Sequence, residues 1–180
     1  IITAMFLFGA ASGGVVFGWL GDRLGRVRSM VVSILTYSLF TGCCYFVAAP
    51  WQLGVFRFLA ALGMGGEWSL GVALVMECWP EKNRPLLAGA IGAASNVGFG
   101  LIGVLGMLFH VTTTSWRWVM LAGAAPALLA LFIVRYVPES RRWKDSVQSA
   151  AGHPLREVFS PGLRRVTILA IAFASVALIG

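Results

Sequence analysis

The chain alternates long apolar runs with short polar segments. An α-helix that crosses the hydrocarbon core of a bilayer, about 30 Å thick, needs about 20 apolar residues. Apolar and polar residues do not alternate within the runs, as they would in barrel strands, and lipid offers no partner to open backbone groups. We therefore predict transmembrane helices. Six runs qualify, of which the last is cut short: Ile1–Leu20, Met30–Ala49, Leu53–Cys78, Pro85–Phe109, Trp118–Val137 and Val166–Gly180.

The composition leads to the same class of protein. Of the 180 residues, 58% are hydrophobic and 12% are charged, whereas about a quarter of the residues of a soluble domain are charged. We predict an all-α membrane protein. Because no polar flank precedes the first run or follows the last, we expect the chain to be cut at both ends.

The basic residues between the runs predict the orientation. Twelve of the 14 Lys and Arg residues lie in the first, third and fifth connections, if Arg135 at the end of the fifth run is counted with the connection after it. One lies in the fourth connection and one, Arg57, lies well within a run. Positive charges collect on the cytoplasmic side of membrane proteins. Segments 21–28, 79–84 and 138–165 are therefore predicted to be cytoplasmic. Since this topology accounts for the net charge of +7, we expect no nucleic-acid partner.

The segment 138–165 separates two groups of runs. It is polar and basic, and apolar residues such as Trp143 and Phe159 are spaced among its charges. This pattern is typical of short amphipathic helices at a membrane surface. We predict three parts of the chain: transmembrane helices over 1–137, a cytoplasmic linker over 138–165, and the start of a further transmembrane helix over 166–180.

Many of the 22 glycines lie inside the apolar runs. Glycine weakens a helix in water, but in a bilayer it lets helix backbones approach closely, so we expect a packed bundle. These glycines are Gly9, Gly13, Gly14 and Gly18 in the first run, Gly63, Gly65 and Gly66 in the third, and Gly89, Gly92, Gly103 and Gly106 in the fourth.

Two charged residues, Arg57 and Glu67, lie inside the third run away from its final residues, where a charge is costly and usually functional. Glu67, near the middle of the run, either binds a proton or polar substrate or makes a structural hydrogen bond to another helix. Arg57 lies about 15 Å away along the helix axis and on another face, so the two cannot pair directly. For Arg57, snorkelling to the interface or a structural pair is an equal alternative to function. Asn96, in the fourth run, is a candidate for substrate binding or for a bond between helices.

No arrangement typical of an enzyme or a metal site is present in the sequence. Cys43, Cys44 and Cys78 have neither metal-ligand nor disulfide spacing, and His110 and His153 stand alone. No hydrolytic triad or metal cluster can be assembled from these residues. We expect no catalytic residue, no metal and no cofactor.

The polar sequence after the first run resembles a known signature. Residues 18–28 read GWLGDRLGRVR, which is similar to the G-x-L-x-D-R-x-G-R-[KR] motif between helices two and three of the major facilitator superfamily. Glycines there allow close helix approach, and the acidic residue can make or break ion pairs with the arginines. The residues of this cytoplasmic gating motif are Gly18, Gly21, Asp22, Arg23, Gly25 and Arg26.

Further motifs resemble the sugar-porter-like branch of this family. Residues 65–68, which read GGEW, look like the metabolite:proton symporters of that branch. Arg141 stands where the motif after helix six has a proline, so the start of the following helix is expected to differ. The matching residues are Glu77, Pro80 and Arg84 at the end of family helix four, and Pro138, Glu139 and Arg142 after helix six.

The resemblance implies a fold for the whole chain. The six runs become family helices two to seven of a major facilitator-type helical bundle. The chain would then hold the N-terminal half without its first helix, and the start of the C-terminal half. The implied protein is a monomer of the cell (inner) membrane, with the lipid bilayer, a small-molecule substrate and protons as its partners.

The resemblance also implies a mechanism. The expected function is secondary active transport of a small organic solute, an organic anion or a sugar-like metabolite, by proton-coupled symport with alternating access. An uncoupled facilitator of the same fold and a non-transporting membrane sensor are the alternatives. Proton and substrate coupling is expected at Glu67, Arg57 and Asn96. A cytoplasmic ion-pair network is expected from Asp22, Arg23, Arg26, Glu77, Arg84, Glu139 and Arg142.

Overall fold

The computed structural model describes residues 2–109, 112, 115–140, 143–145, 160 and 162–169. Within these ranges the chain forms helices and turns without strands, so the prediction of an all-α architecture is confirmed. The elements are α1 (Ile2–Leu24), α2 (Arg26–Cys43) with a 3₁₀ turn (Cys44–Phe46), α3 (Pro50–Cys78), a second 3₁₀ turn (Glu81–Asn83), α4 (Arg84–Leu108), α5 (Trp116–Ala122) and α6 (Ala127–Tyr136).

The chain divides into two units, residues 1–145 and 146–180. All the elements named above belong to the first unit. In the second unit, residues 164–169 are helical. Most of the predicted linker beyond residue 145, and the predicted sixth run after residue 169, lie outside the described residues.

Five helical stretches of the first unit have the length and apolar composition needed to cross a membrane. They correspond to the first five predicted runs, although the bounds differ. The stretches are Ile2–Leu24, Arg26–Phe46, Pro50–Cys78, Glu81–Leu108 and Trp116–Tyr136.

The prediction that residues 21–28 form a loop is wrong. α1 continues to Leu24 and α2 begins at Arg26, so one residue, Gly25, joins the two helices. Gly25 has φ 107°, a backbone conformation that glycine adopts without steric cost. The apolar run predicted where a membrane could be crossed, whereas the helices extend beyond it through the charged residues Asp22, Arg23, Arg26 and Arg28.

The fifth predicted run is not one continuous helix. α5 ends at Ala122 and α6 begins at Ala127, and between them the backbone forms tighter bonds, such as those from Ala125 N to Ala122 O and from Ala127 N to Ala124 O, both 3.0 Å. Pro126 causes this break because it has no N–H group and its ring crowds the carbonyl four residues earlier.

Glycines bring α1 and α3 together, as the sequence predicts. A Cβ atom on Gly13 would overlap the backbone of Leu62, and one on Gly65 would overlap the carbonyl oxygen of Ala10. α4 behaves differently, because a Cβ on any of four of its glycines would meet no atom within 4 Å among the described residues. The close approach expected for the fourth run is therefore not seen there. The four glycines are Gly89, Gly92, Gly103 and Gly106.

Candidate functional site

Glu67 lies midway along α3, on the stripe that faces α2. Gly63, one turn before it, lies against the backbone and Cβ of Tyr37 on α2, and Gly71, one turn after it, lies against the side chain of Met30. The phenol of Tyr37 lies beside the carboxylate of Glu67, close enough for the two groups to interact electrostatically. The half-buried acid is thus held at the interface between two membrane-spanning helices.

Small polar side chains let α2 lie close to α3 at this level. Ser29, Ser33 and Ser38 are fully buried on α2, and Ser33 Oγ donates a 2.5 Å hydrogen bond to the carbonyl oxygen of Gly63. In a helix this same oxygen accepts the bond from the N–H four residues later, which here belongs to Glu67. Ser33 therefore fixes the turn of α3 that carries the acid.

Arg57 lies ten residues before Glu67 and is also half-buried. It makes neither an ion pair nor a hydrogen bond to any residue in the described ranges. Its positive charge acts electrostatically on the thiol of Cys44, in the 3₁₀ turn after α2. The structure therefore does not join Arg57 to Glu67, in agreement with their separation along the helix. An unpaired guanidinium within a membrane-spanning segment is available to an anion.

Asn96 is exposed on α4, and its amide Nδ2 donates a 3.0 Å hydrogen bond to Gly92 O of the same helix. It makes no hydrogen bond to Glu67 or Arg57 in the part of the chain that the structure describes. Among the described residues Asn96 therefore forms no hydrogen bond between helices, and its role in substrate binding stays a prediction. Its local bond is the usual alternative for a short polar side chain in a helix.

A second group of residues lies at the junction of α1, α2 and α3. The guanidinium of Arg26 bridges two acids, with Nη1 2.8 Å from Asp22 Oδ1 and Nε 2.9 Å from Glu77 Oε1. All three side chains are at most one-third exposed. We call Asp22, Arg26 and Glu77 the Arg26 cluster. Such an arrangement ties the ends of three helices with one cation.

Glu139 closes the start of α2. The N–H of Val27 donates to both carboxylate oxygens, at 3.0 Å to Oε1 and 3.2 Å to Oε2. Gly25, at the N-cap position, has no side chain that could cap the helix. A negative charge at a helix N-terminus is stabilised by the unpaired N–H groups and the helix dipole. Glu139 therefore acts as a cap supplied from a distant part of the chain.

The residues after Glu139 add a second tie to the same junction. The indole Nε1 of Trp143 donates a 2.9 Å hydrogen bond to the carbonyl oxygen of Asp22, near the end of α1. Ser140 is fully buried beside it. Glu139 and Trp143 are thus attached to α2 and α1 through one carboxylate and one indole.

Two arginines of the predicted ion-pair network are not part of the Arg26 cluster. Arg23 stacks over the ring of Trp19, with its guanidinium carbon 4.2 Å from the ring centroid, because residues four apart share a helix face. Arg84 pairs with the exposed Glu81, three residues away, at 3.2 Å. Among the described residues these two arginines make other contacts, so their part in the network stays a prediction, and Arg142 lies outside the described residues.

The other members of the predicted motifs have backbone roles or no close neighbours. Gly21 lies against Leu70 and Arg26, whereas a Cβ on Gly18 would meet nothing within 4 Å. Pro80 precedes the second 3₁₀ turn, and Pro138 directly precedes the capping acid. Among the described residues, no three His, Cys, Asp or Glu side chains are grouped so as to hold a metal ion.

These helices, their junction and the buried acid can be compared with known proteins. The model of the family described as the Major Facilitator Superfamily matches residues 1–180. The chain belongs to the major facilitator superfamily. Its all-α helical bundle is therefore a major facilitator bundle, and the protein is a multi-pass membrane protein.

Relatives and a solved structure from the superfamily agree with this assignment. A putative metabolite transport protein of Haemophilus influenzae is 38% identical over 74% of this chain and 32% of its own length. The cis,cis-muconate transport protein of Acinetobacter baylyi is 35% identical over 81% of this chain and 35% of its own length. The inward-open xylose transporter XylE from E. coli has the same fold, with a TM-score of 0.66 and 21% identity over 98% of this chain and 44% of that chain.

The chain spans about a third of the length of the curated relatives it matches. Three residues that were not among the predicted site residues lie at these sites in the structure. Ser33 and Tyr37 lie beside Glu67, and Trp143 lies at the junction of α1, α2 and α3. The spacing of polar residues on α2 could have shown two of them, since Ser29, Ser33 and Tyr37 recur every four residues in an apolar run. No sequence signal shows that Trp143 reaches Asp22.

Proposed function

We propose that this chain is part of a secondary transporter that moves a small organic solute across a membrane by alternating access. Membership of the major facilitator superfamily and the transport proteins among its relatives support this proposal. The observation that carries it is Glu67, an ionisable side chain in the middle of a membrane-spanning helix. Such residues in membrane proteins usually serve substrate or ion movement.

Glu67 is the proposed coupling group. Its position between α2 and α3 lets a conformational change alter its surroundings and therefore its hold on a proton. If the carrier reorients with the carboxyl protonated but not with it charged, downhill proton entry drives solute uptake. This is symport, and it needs a differential affinity of the two conformations for the proton.

The proposed solute is an organic anion. Arg57 offers an uncompensated positive charge in the same helix, and a relative that is 35% identical transports cis,cis-muconate. Guanidinium groups bind carboxylates through two parallel hydrogen bonds. Asn96 is a further candidate contact for the solute, reached only in another conformation of the bundle.

The Arg26 cluster and Glu139 are proposed to stabilise one of the two conformations on the cytoplasmic side. Glu77 Oε2 and Arg84 Nη2 are both buried without a hydrogen-bond partner among the described residues. They would be satisfied by a Glu77–Arg84 pair formed when the junction rearranges. We also propose that the segments 79–84 and 138–165 are cytoplasmic. The protein is proposed to be a monomer in the cell (inner) membrane.

Uptake into membrane vesicles tests the proposed function. Vesicles from cells that produce the complete protein are given an inward proton gradient and radiolabelled cis,cis-muconate, or radiolabelled xylose as a neutral solute. We expect muconate to accumulate and a protonophore to abolish accumulation. Uptake of xylose alone would contradict the anion assignment, and equilibration that a protonophore leaves unchanged would contradict proton coupling. Binding of muconate without flux would identify a sensor.

Replacement of Asp22 by Asn tests the junction. The substitution removes one of the two acids that hold Arg26, and a partly exposed ion pair contributes up to about 1 kcal/mol. We expect the maximal uptake rate to change about 2- to 5-fold, because the balance between two conformations shifts. Wild-type uptake in Asp22→Asn would contradict the proposed role.

A further inference from the structure

We propose that Tyr37 is a positioning residue for the coupling acid: its phenolic O–H holds the Glu67 carboxylate at the α2–α3 interface and releases it when the two helices separate. This inference rests on the proposed function of Glu67. It adds a second helix to the coupling site. Movement of α2 relative to α3 would thereby be linked directly to the protonation of the acid.

The packing around Glu67 supports this role independently of the hydrogen bond itself. Tyr37 lies against Gly63, one turn from Glu67, and a Cβ on that glycine would come within 2.7 Å of Tyr37 N and 3.0 Å of Tyr37 Cβ. Any larger residue at position 63 would push α2 away. The glycine thus lets the aromatic ring approach the turn that carries the acid.

Ser33 strengthens the same contact from one turn away on α2. Its 2.5 Å bond to Gly63 O connects α2 to the backbone directly under Glu67. The side chains of Ser33 and Tyr37 lie four residues apart, so they point to the same face of α2. One face of one helix therefore contacts both the backbone and the carboxylate of the coupling turn.

Tyr37 is also the titratable group that the neighbouring helices present to Glu67. From Ile2 to Gly21, α1 contains no titratable side chain. On α2, Arg26 and Arg28 lie beyond Met30, which packs one turn from Glu67, and Cys43 lies near the opposite end of the helix. Arg57 lies about 15 Å away on α3 itself. The carboxylate and the phenol therefore form a local pair.

The first test compares two kinds of flux in vesicles that contain the complete protein, with labelled cis,cis-muconate as the probe. Tyr37→Phe removes only the hydroxyl. We expect proton-driven accumulation to fall roughly 3- to 10-fold, the factor that corresponds to one lost hydrogen bond, with exchange of labelled for unlabelled muconate retained. Tyr45→Phe is the matched control, since that ring packs on Phe46 and Trp118 at the end of α2. An equal loss of accumulation and exchange would overturn the positioning role.

A double variant separates this inference from the proposed function. In a Glu67→Gln background, Tyr37→Phe should leave the remaining exchange of labelled for unlabelled muconate unchanged, because residues that act through one group are not additive. A loss of exchange in the double variant would show that Tyr37 acts elsewhere. If Glu67→Gln accumulates muconate normally, proton coupling at Glu67 fails, whatever Tyr37 does.

Infrared spectroscopy tests the contact without any transport. The carboxyl band of Glu67 is assigned by its absence in Glu67→Gln. We expect this band to shift in Tyr37→Phe and to stay in place in Tyr45→Phe, because only the first hydroxyl donates to the acid. An unchanged band in Tyr37→Phe would overturn the inference even if Glu67 proves to be the coupling group.

Discussion

Replacing Glu67 by Gln should abolish proton-driven accumulation while leaving solute exchange intact. Glutamine keeps the size of the side chain and can still meet the Tyr37 hydroxyl, but it cannot take up or release a proton. Without a differential affinity for the proton, the gradient cannot perform work on the solute. The internal-to-external concentration ratio of labelled muconate should then fall to about 1 at steady state, as measured in vesicles with an imposed proton gradient.

The matched control is Glu81→Gln, which makes the same chemical change in the 3₁₀ turn before α4. Glu81 is 84% exposed and pairs with Arg84 across one turn, and an exposed pair of this kind contributes little. Accumulation in this variant should equal that of the wild type. If Glu67→Gln still concentrates muconate above the external level, Glu67 is a structural residue and the coupling group lies in another part of the protein.

The apolar runs predicted the helices well because lipid imposes a simple rule on length and composition. In the part of the chain that the structure describes, the first five runs coincide with helical stretches long enough to cross a membrane. Their ends were less accurate, since charged residues continue a helix into water without any apolar signal. The break at Pro126 was not predicted, although proline in a helix interior removes a backbone hydrogen bond and so gives a sequence signal for such a break.

The sites were harder to predict because they depend on which helices are neighbours. The charge of Glu67 was visible in the sequence, but its partner Tyr37 lies 30 residues earlier in a different helix. Likewise, the signature motif predicted ion pairs for Asp22, Arg23 and Arg26. Asp22 and Arg26 form such a pair, whereas Arg23 stacks on Trp19. A motif identifies candidate residues, but the direction in which each side chain leaves its helix decides which of them come into contact.

Replacing Gly13 by Ala should destabilise the bundle, although alanine normally favours a helix. In a free helix the change would gain about 0.5–1 kcal/mol. Here the new Cβ would overlap the Leu62 backbone of α3, which cannot turn aside as a flexible side chain can. Overpacking of this kind costs about 1–3 kcal/mol. We expect a lower midpoint of thermal unfolding for the purified protein in detergent. The midpoint is measured by size-exclusion chromatography of samples heated to increasing temperatures.

Gly14→Ala is the control, because it adds the same methyl group one residue further along α1. Its Cβ would lie 3.7 Å from Gly65 O, an ordinary contact distance, so the helix-forming advantage of alanine should appear as an unchanged or higher midpoint. The two variants differ only in helix phase and should shift stability in opposite directions. Equal midpoints for both would contradict the close α1–α3 approach, since only a glycine-mediated contact distinguishes the two positions.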